Sequence, residues 1–300
     1  MGPVVLLVPA PIKRWYIWDL QPGRSVAARC LAAGLRVFLV EWTDPGPDEQ
    51  KRGLEAYADI LLTACLQEVH EQTGADRALL AGHSLGGTLA AIYAARRPQR
   101  VAGLVLLEAP LRFGTDAGAF APLVTAAPPA AWLRSPGQGV AGSFLDAVSA
   151  AAAPRTFQVE RYVDLAHSLP DPAALATHLR VQRWTLDELA LPGRLFDDVI
   201  ERLYHRDELI TGALPISGAQ VGPGSVTAPM VNVLDPRSVV VPPRSVLAFH
   251  DAAASRNKQV LHYHGDVGVA LQHVGVLVGQ SAHRNLWPLL LGWMHTTWNS

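Results

Sequence analysis

The chain has 300 residues, 49% hydrophobic and 17% charged, enough for one large α/β domain with an insertion or for two ordinary domains and too apolar for a disordered chain. Its 25 basic and 26 acidic residues leave a formal charge of -1, which excludes the strong positive field on which nucleic-acid binding usually relies. Cys30 and Cys65 match no disulfide or metal-ligand spacing, which fits a reducing, cytoplasmic setting, and no apolar run approaches the roughly 18 residues of a membrane span.

Met1-Gly2-Pro3 lacks the basic region of a signal peptide and leads into Val4 to Val8, a strand. Arg36 to Trp42, Ala78 to Ala81 and Val101 to Leu107 are further short apolar runs suited to strands covered on both faces. Ser25 to Ala33, Leu54 to Gln72 and Gly86 to Arg96 carry apolar residues at helical spacing. The alternation predicts a mostly parallel sheet with crossover helices. Residues 1–110 thus form the first half of an α/β core.

From 111 to 226 the chain is rich in Ala and Pro. Pro122, Pro128, Pro129, Pro136, Pro154, Pro170 and Pro172 divide it into short helical pieces, a mostly helical insertion. Strand character returns at Met230 to Leu234 and Gln259 to His264, with a helix opened by Pro242-Pro243 between them, so 227–300 is the second half of the core. A last amphipathic helix spans about Leu286 to His295.

Gly82-His83-Ser84-Leu85-Gly86 lies between a predicted strand and a predicted helix, the setting that makes a Gly-x-Ser-x-Gly match a nucleophile elbow. A strand turning sharply into a helix strains the serine backbone and brings neighbouring chain close, so side chains are excluded at both flanks. Ser84 then projects from the sheet with a helix N-terminus behind it. Its hydroxyl needs a base held by an acid, in the chain order Ser, acid, His. His273 follows the last strand between small residues; His283, in the next turn, is the rival. His262 and His264 could share a metal but lack a third ligand.

Asp235, at the end of Met230 to Leu234, is the acid candidate, although Asp before Pro also caps turns. Asp251 and Asp266 require unusual geometry. The oxyanion hole needs the Leu85 N–H and a second N–H from the loop Val8 to Lys13, where Pro9 and Pro11 have none; Ile12 is selected over Ala10. No metal or organic cofactor is required.

Several stretches resemble the catalytic region of polyhydroxyalkanoate synthases, especially the class III type: Pro9 to Leu20, Glu41-Trp42-Thr43-Asp44-Pro45, the elbow through Gly86-Gly87-Thr88, Arg180 to Trp184, Leu203 to Gly212, Pro229 to Leu234, Val241-Pro242-Pro243 and His273-Val274-Gly275. The resemblance covers nearly the whole chain except the family's N-terminal segment. It implies an α/β-hydrolase fold with a helical cap, dimers with the cap gating the site, and coenzyme A as leaving group with an accessory subunit where the chain polymerises. Two positions depart from the pattern. The family nucleophile is cysteine and here it is Ser84, and Ser238 stands where the family carries its catalytic Asp.

A cysteine thioester keeps an acyl group activated, whereas a serine ester suits hydrolysis. The leading expectation is therefore a serine esterase or acyltransferase acting on (R)-3-hydroxyalkanoyl esters, oligomers or CoA thioesters, with Trp184 lining an acyl pocket. A serine-based polyhydroxyalkanoate synthase is the alternative. A degenerate member that binds polymer granules or a synthase partner is a third reading, motivated by the displaced acid.

Overall fold

The computed structural model describes residues 2–133 and 138–300; Met1 and Pro136, both used above, lie outside the described residues. Six strands form one parallel sheet: β1 (Val4–Val8), β2 (Arg36–Leu39), β3 (Ala78–His83), β4 (Val101–Leu107), β5 (Met230–Leu234) and β6 (Lys258–His262). Their spatial order is β6-β5-β4-β3-β1-β2. The run read as Arg36 to Trp42 keeps strand geometry only to Leu39, and the last strand is shifted toward Lys258.

The strands read as unbroken apolar runs because both faces are covered. Val4, Leu6 and Val8 of β1 pack on one side of the sheet, Val5 and Leu7 on the other, and Leu80 and Leu79 of β3 divide in the same way. The first side receives α2 (Leu61–Thr73), α3 (Leu85–Arg96) and, later in the chain, a helix over Pro243–Ala252. The second receives α1 (Val26–Ala32) and the last helix, Trp287–Trp298. Ser25 caps α1 by accepting the Ala28 N–H at 2.8 Å, as expected for serine ahead of a helical run. Because α3 runs through the centre of the core, ten of its twelve residues are buried, and its composition is apolar all round.

Between β4 and β5 the chain is helical, with α4 (Gly142–Ala152), α5 (Glu160–Ser168) and α6 (Pro172–Thr185), and it ends in an antiparallel hairpin of Leu214–Ile216 with Ala219–Val221. Pro122 and Pro172 stand in first turns of helices, where no backbone N–H is missed. Asp171 caps α6 through the Ala173 N–H at 2.9 Å. Among the described residues no helix is long and apolar enough to cross a membrane.

The parallel sheet brings the C-terminal ends of β1, β3, β4, β5 and β6 to one edge. The order reverses between β1 and β3, and the crevice at such a switch point is where open α/β sheets bind ligands. Two glycines fix the approach of α3 to that edge. A Cβ on Gly82 would sit 2.5 Å from the Gly87 Cα, and one on Gly86 would land on the carbonyl oxygens of Val8 and Pro9. Gly86→Ala is therefore expected to push α3 off β1, lowering stability by about 3 kcal/mol. Thermal unfolding checks this; an unchanged melting temperature would contradict the close approach.

Candidate active site

The elbow is the tightest piece of backbone at this edge. Ser84 has φ 54° and ψ −132°, a conformation that non-glycine residues hold only when their surroundings enforce it. Here the surroundings are a ladder: the Ser84 N–H donates to the Leu107 carbonyl at 3.0 Å, and the Ser84 carbonyl accepts from Gly87 and Thr88 in the first turn of α3. The side chain is thereby aimed away from the sheet into a cavity of about 1020 Å³, which it shares with Leu85, Ile12 and His273.

The structure brings His273 to the same cavity as Ser84, on the turn Gln272–Val274 after β6. The His273 Nδ1 lies 3.1 Å from a carboxylate oxygen, Oε2 of Glu108. Burial pushes the His273 imidazole down to about 4, so the ring is neutral at pH 7 and its other nitrogen can accept a proton. His83, one residue before Ser84, sets its Nε2 2.8 Å from the His273 carbonyl oxygen, with the two rings 4.7 Å apart. Burial, and then His273, push His83 down to about 3. It stays neutral and can donate its Nε2–H to that carbonyl, tying the histidine turn to the elbow.

Asp235 does not hold His273. Its carboxylate accepts from the Arg237 backbone N–H at 2.8 Å and from the Arg237 guanidinium at 3.3 and 3.4 Å, the turn-capping use of Asp before Pro. The carboxylate on the histidine belongs to Glu108, the residue directly after β4. Its backbone N–H donates to the Val233 carbonyl at 2.8 Å, and its φ of 44° turns the side chain toward His273. Glu108 is 1% exposed. Burial and then the Asp235 charge push its carboxyl well above the ordinary carboxylate range. The Asp235 N–H and the Ser238 hydroxyl pull the other way, yet Oε1 has no partner at hydrogen-bond distance. Ser238, where the resemblance puts an Asp, thus faces the Glu108 carboxyl.

The signal for Glu108 was in the sequence: one carboxylate ends the seven-residue apolar run Val101–Leu107, just before Ala109-Pro110. The order Ser, acid, His points instead to the end of the next strand, where Asp235 stands. Ser84, Glu108 and His273 still follow the order Ser, acid, His.

The rival His283 lies away from the cavity. Its Nδ1 accepts from the Arg29 Nε at 3.0 Å, and its Nε2 is 2.8 Å from the Leu277 carbonyl. Asp266 bonds Ser281 and Tyr263, and Asp251 is exposed at the end of the Pro243–Ala252 helix. The His262 and His264 rings stack 6.2 Å apart, and no group of three potential metal ligands occurs among the described residues.

The loop after β1 is gripped by the helical segment. The Ile12 carbonyl accepts from the Leu189 N–H at 3.2 Å, and the Arg14 carbonyl from the Trp184 indole at 2.8 Å. Lys13 pairs with Asp146 at 2.9 Å and Glu188 at 3.5 Å and also donates to the Thr185 carbonyl. Trp184 joins Phe113, Phe144 and Phe157 in the cavity wall, which is predominantly apolar.

Comparison with known proteins fits this geometry. A family model described as the alpha/beta hydrolase fold matches residues 3–157, more than half of the chain. The poly(3-hydroxyalkanoate) polymerase subunit PhaC of Haloferax mediterranei is 28% identical over 96% of this chain and 58% of its own length. That of Haloarcula marismortui is 27% identical over 96% and 60%, so the chain spans about three fifths of these two relatives. The PhaC subunit of Allochromatium vinosum is 25% identical over 97% of this chain and 80% of its own. Among solved structures, the monoacylglycerol lipase of Paleococcus ferrophilus superposes with a TM-score of 0.57 at 15% identity, covering 99% of this chain and 96% of that one. A soluble variant of the monoglyceride lipase of Saccharomyces cerevisiae gives 0.59 at 14% identity, covering 99% and 88%. The chain belongs to the alpha/beta hydrolase fold family, carries serine at the elbow, and is similar over nearly its whole length to poly(3-hydroxyalkanoate) polymerase subunits.

Proposed function

We propose that the protein is an acyl-transferring serine enzyme that cleaves (R)-3-hydroxyalkanoyl esters through an acyl-enzyme at Ser84. One observation carries the reading: a strained serine and a histidine held by a buried carboxylate open onto the same large apolar cavity. The substrate class comes from the relatives, which are named as poly(3-hydroxyalkanoate) polymerases.

In the forward half-reaction the Ser84 oxygen attacks the ester or thioester carbonyl and His273 takes its proton. The oxyanion is held by the N–H of Leu85, which as the first residue of α3 has no partner within the helix, and by that of Ile12. His273 returns the proton to the departing alcohol or thiol. It then takes a proton from water, or from an acceptor hydroxyl, whose oxygen attacks the acyl carbonyl, and passes that proton to the Ser84 oxygen as the bond between Ser84 and the acyl group breaks. Glu108 holds the Nδ1–H tautomer and offsets the imidazolium charge. The two unpaired cysteines suit a cytoplasmic setting, at the granule surface when the substrate is polymer.

The relatives, named as polymerase subunits, support one second reading, polymer synthesis from a 3-hydroxyacyl-CoA with coenzyme A leaving, an accessory subunit assisting, and dimers in which the helical segment gates entry. The two readings differ in product. Wild type, Ser84→Ala and Ser84→Cys are to be incubated with p-nitrophenyl esters and with 3-hydroxybutyryl-CoA, following nitrophenol, free CoA and polymer. Nitrophenol released by wild type and lost in Ser84→Ala is the expected result, and polymer from wild type would favour synthesis. A silent wild type whose Ser84→Cys variant makes polymer would leave a binding role. Cavity size adds a direction: kcat/KM should rise from butanoate to octanoate by up to about fourfold per methylene, each worth ~0.8 kcal/mol when buried. A flat or falling series would count against the cavity as the acyl site.

The two carboxylates are told apart by pH. Glu108→Gln should lower kcat by about 10²-fold to 10⁴-fold through the wrong tautomer. Asp235→Asn keeps the Asx turn but removes a negative charge beside Glu108, so Glu108 ionises more readily and the acid limb of kcat/KM moves to lower pH. If Asp235→Asn is instead the variant that loses activity, Asp235 is the acid.

A further inference from the structure

The turn that carries His273 is not held by the sheet alone. Ahead of it, Gly268 (φ 82°) and Ala270 (φ 54°) are both left-handed, a conformation that alanine keeps only under constraint. The constraint comes from across the molecule. The Asp164 Oδ1 of α5 accepts the Gly268 N–H at 2.8 Å, and its Oδ2 accepts the Ala270 N–H at 2.8 Å. His178 of α6 sets its Nδ1 2.7 Å from the same Oδ2. Asp164 is 8% and His178 1% exposed. Gly268 also approaches α6 so closely that a Cβ there would sit 2.7 Å from the Ala174 carbonyl oxygen. Ala270 and Leu271 reach the cavity together with His273.

We propose that Asp164 is a positioning residue for His273: its carboxylate straps the loop before the base to α5 and α6, so the base stands in register with Ser84 only when these helices are seated on the core. The inference rests on the reading of Ser84 and His273 as nucleophile and base. Asp164 touches no reacting atom and acts through two backbone N–H groups. Two charge-assisted bonds to one buried carboxylate are strong enough to hold a strained loop, and asparagine, with one acceptor oxygen, can keep only part of them.

The test compares Asp164→Asn with Asp59→Asn. Asp59 is also buried but pairs with Arg97 at 2.9 and 3.1 Å, outside the cavity wall. Active sites are titrated with a fluorophosphonate, kcat per titrated site and KM are measured on p-nitrophenyl octanoate, and the His273 ring is titrated by NMR in histidine-labelled protein. In Asp164→Asn, kcat per site is expected to fall about tenfold or more with KM within twofold, and the His273 midpoint should rise as the ring gains water. Asp59→Asn should lose melting temperature while both readouts stay at wild-type values.

Wild-type values for kcat per site and ring titration in Asp164→Asn would overturn the proposal. If wild type neither labels at Ser84 nor turns over, the functional reading falls, and the ring titration still decides the coupling. Should Asp164→Asn fail to fold, His178→Gln, which frees the carboxylate to swing from the loop, is expected to shift the same readouts by about threefold.

Discussion

A carboxylate shut off from water, touching one imidazole and leaving one oxygen unpaired, is the constraint around which the active edge is built. Taken separately, burial disfavours both the Glu108 anion and the His273 cation. At 3.1 Å the carboxyl stands where it can offset positive charge on the imidazole whenever the ring takes up a proton. Such a pair tolerates little displacement, because a buried charge that loses its partner is strongly destabilising. The backbone answers with rigidity. Ser84 hangs from Leu107 and Glu108 from Val233, so nucleophile and carboxylate are successive rungs at the ends of adjoining strands.

The same requirement can be met from the end of β4 as well as from the loop after β5. A residue one strand over, with a longer side chain and a left-handed backbone, reaches the imidazole from β4 instead of from the loop after β5. Ser238, at the position where the resemblance puts an Asp, lies beside that carboxyl rather than competing with it. A second acid at Ser238 would add a like charge next to Glu108, whose carboxyl is already raised by Asp235. The serine keeps the space polar while adding no charge.

The sheet was legible because its strands are buried on both faces and so read as unbroken apolar runs: Val4–Val8, Val101–Leu107 and Met230–Leu234 stand where the residues place them. The elbow was legible because its glycines answer a local steric demand that no other residue type meets. The place of His273 beside the elbow needed only the rule that a candidate base follows the last strand. Glu108 was missed because its meaning is not local. A glutamate after an apolar strand is an ordinary strand end until the fold sets the histidine turn, more than 160 residues later, against it. Asp164 is less visible still, a polar residue on a helical face whose partners are backbone groups of a remote loop.

The fate of the acyl-enzyme turns on water rather than on the nucleophile alone. An ester at Ser84 is a weaker acyl donor than a thioester, so its breakdown depends on which oxygen stands beside His273 and how well it is oriented. The cavity of about 1020 Å³ is walled mainly by Phe, Leu, Ala and Trp184. A short acyl group leaves much of that space to solvent, and water reaches the base. A long or oligomeric group fills it and expels the water, and the oxygen then best placed is a hydroxyl delivered by the chain itself, at high effective concentration. If Ser84, Glu108 and His273 carry the chemistry proposed for them, they hydrolyse or transfer according to how full the cavity is. The helices that seat the histidine loop are also those that wall the cavity, so occupancy and base geometry are joined in one element.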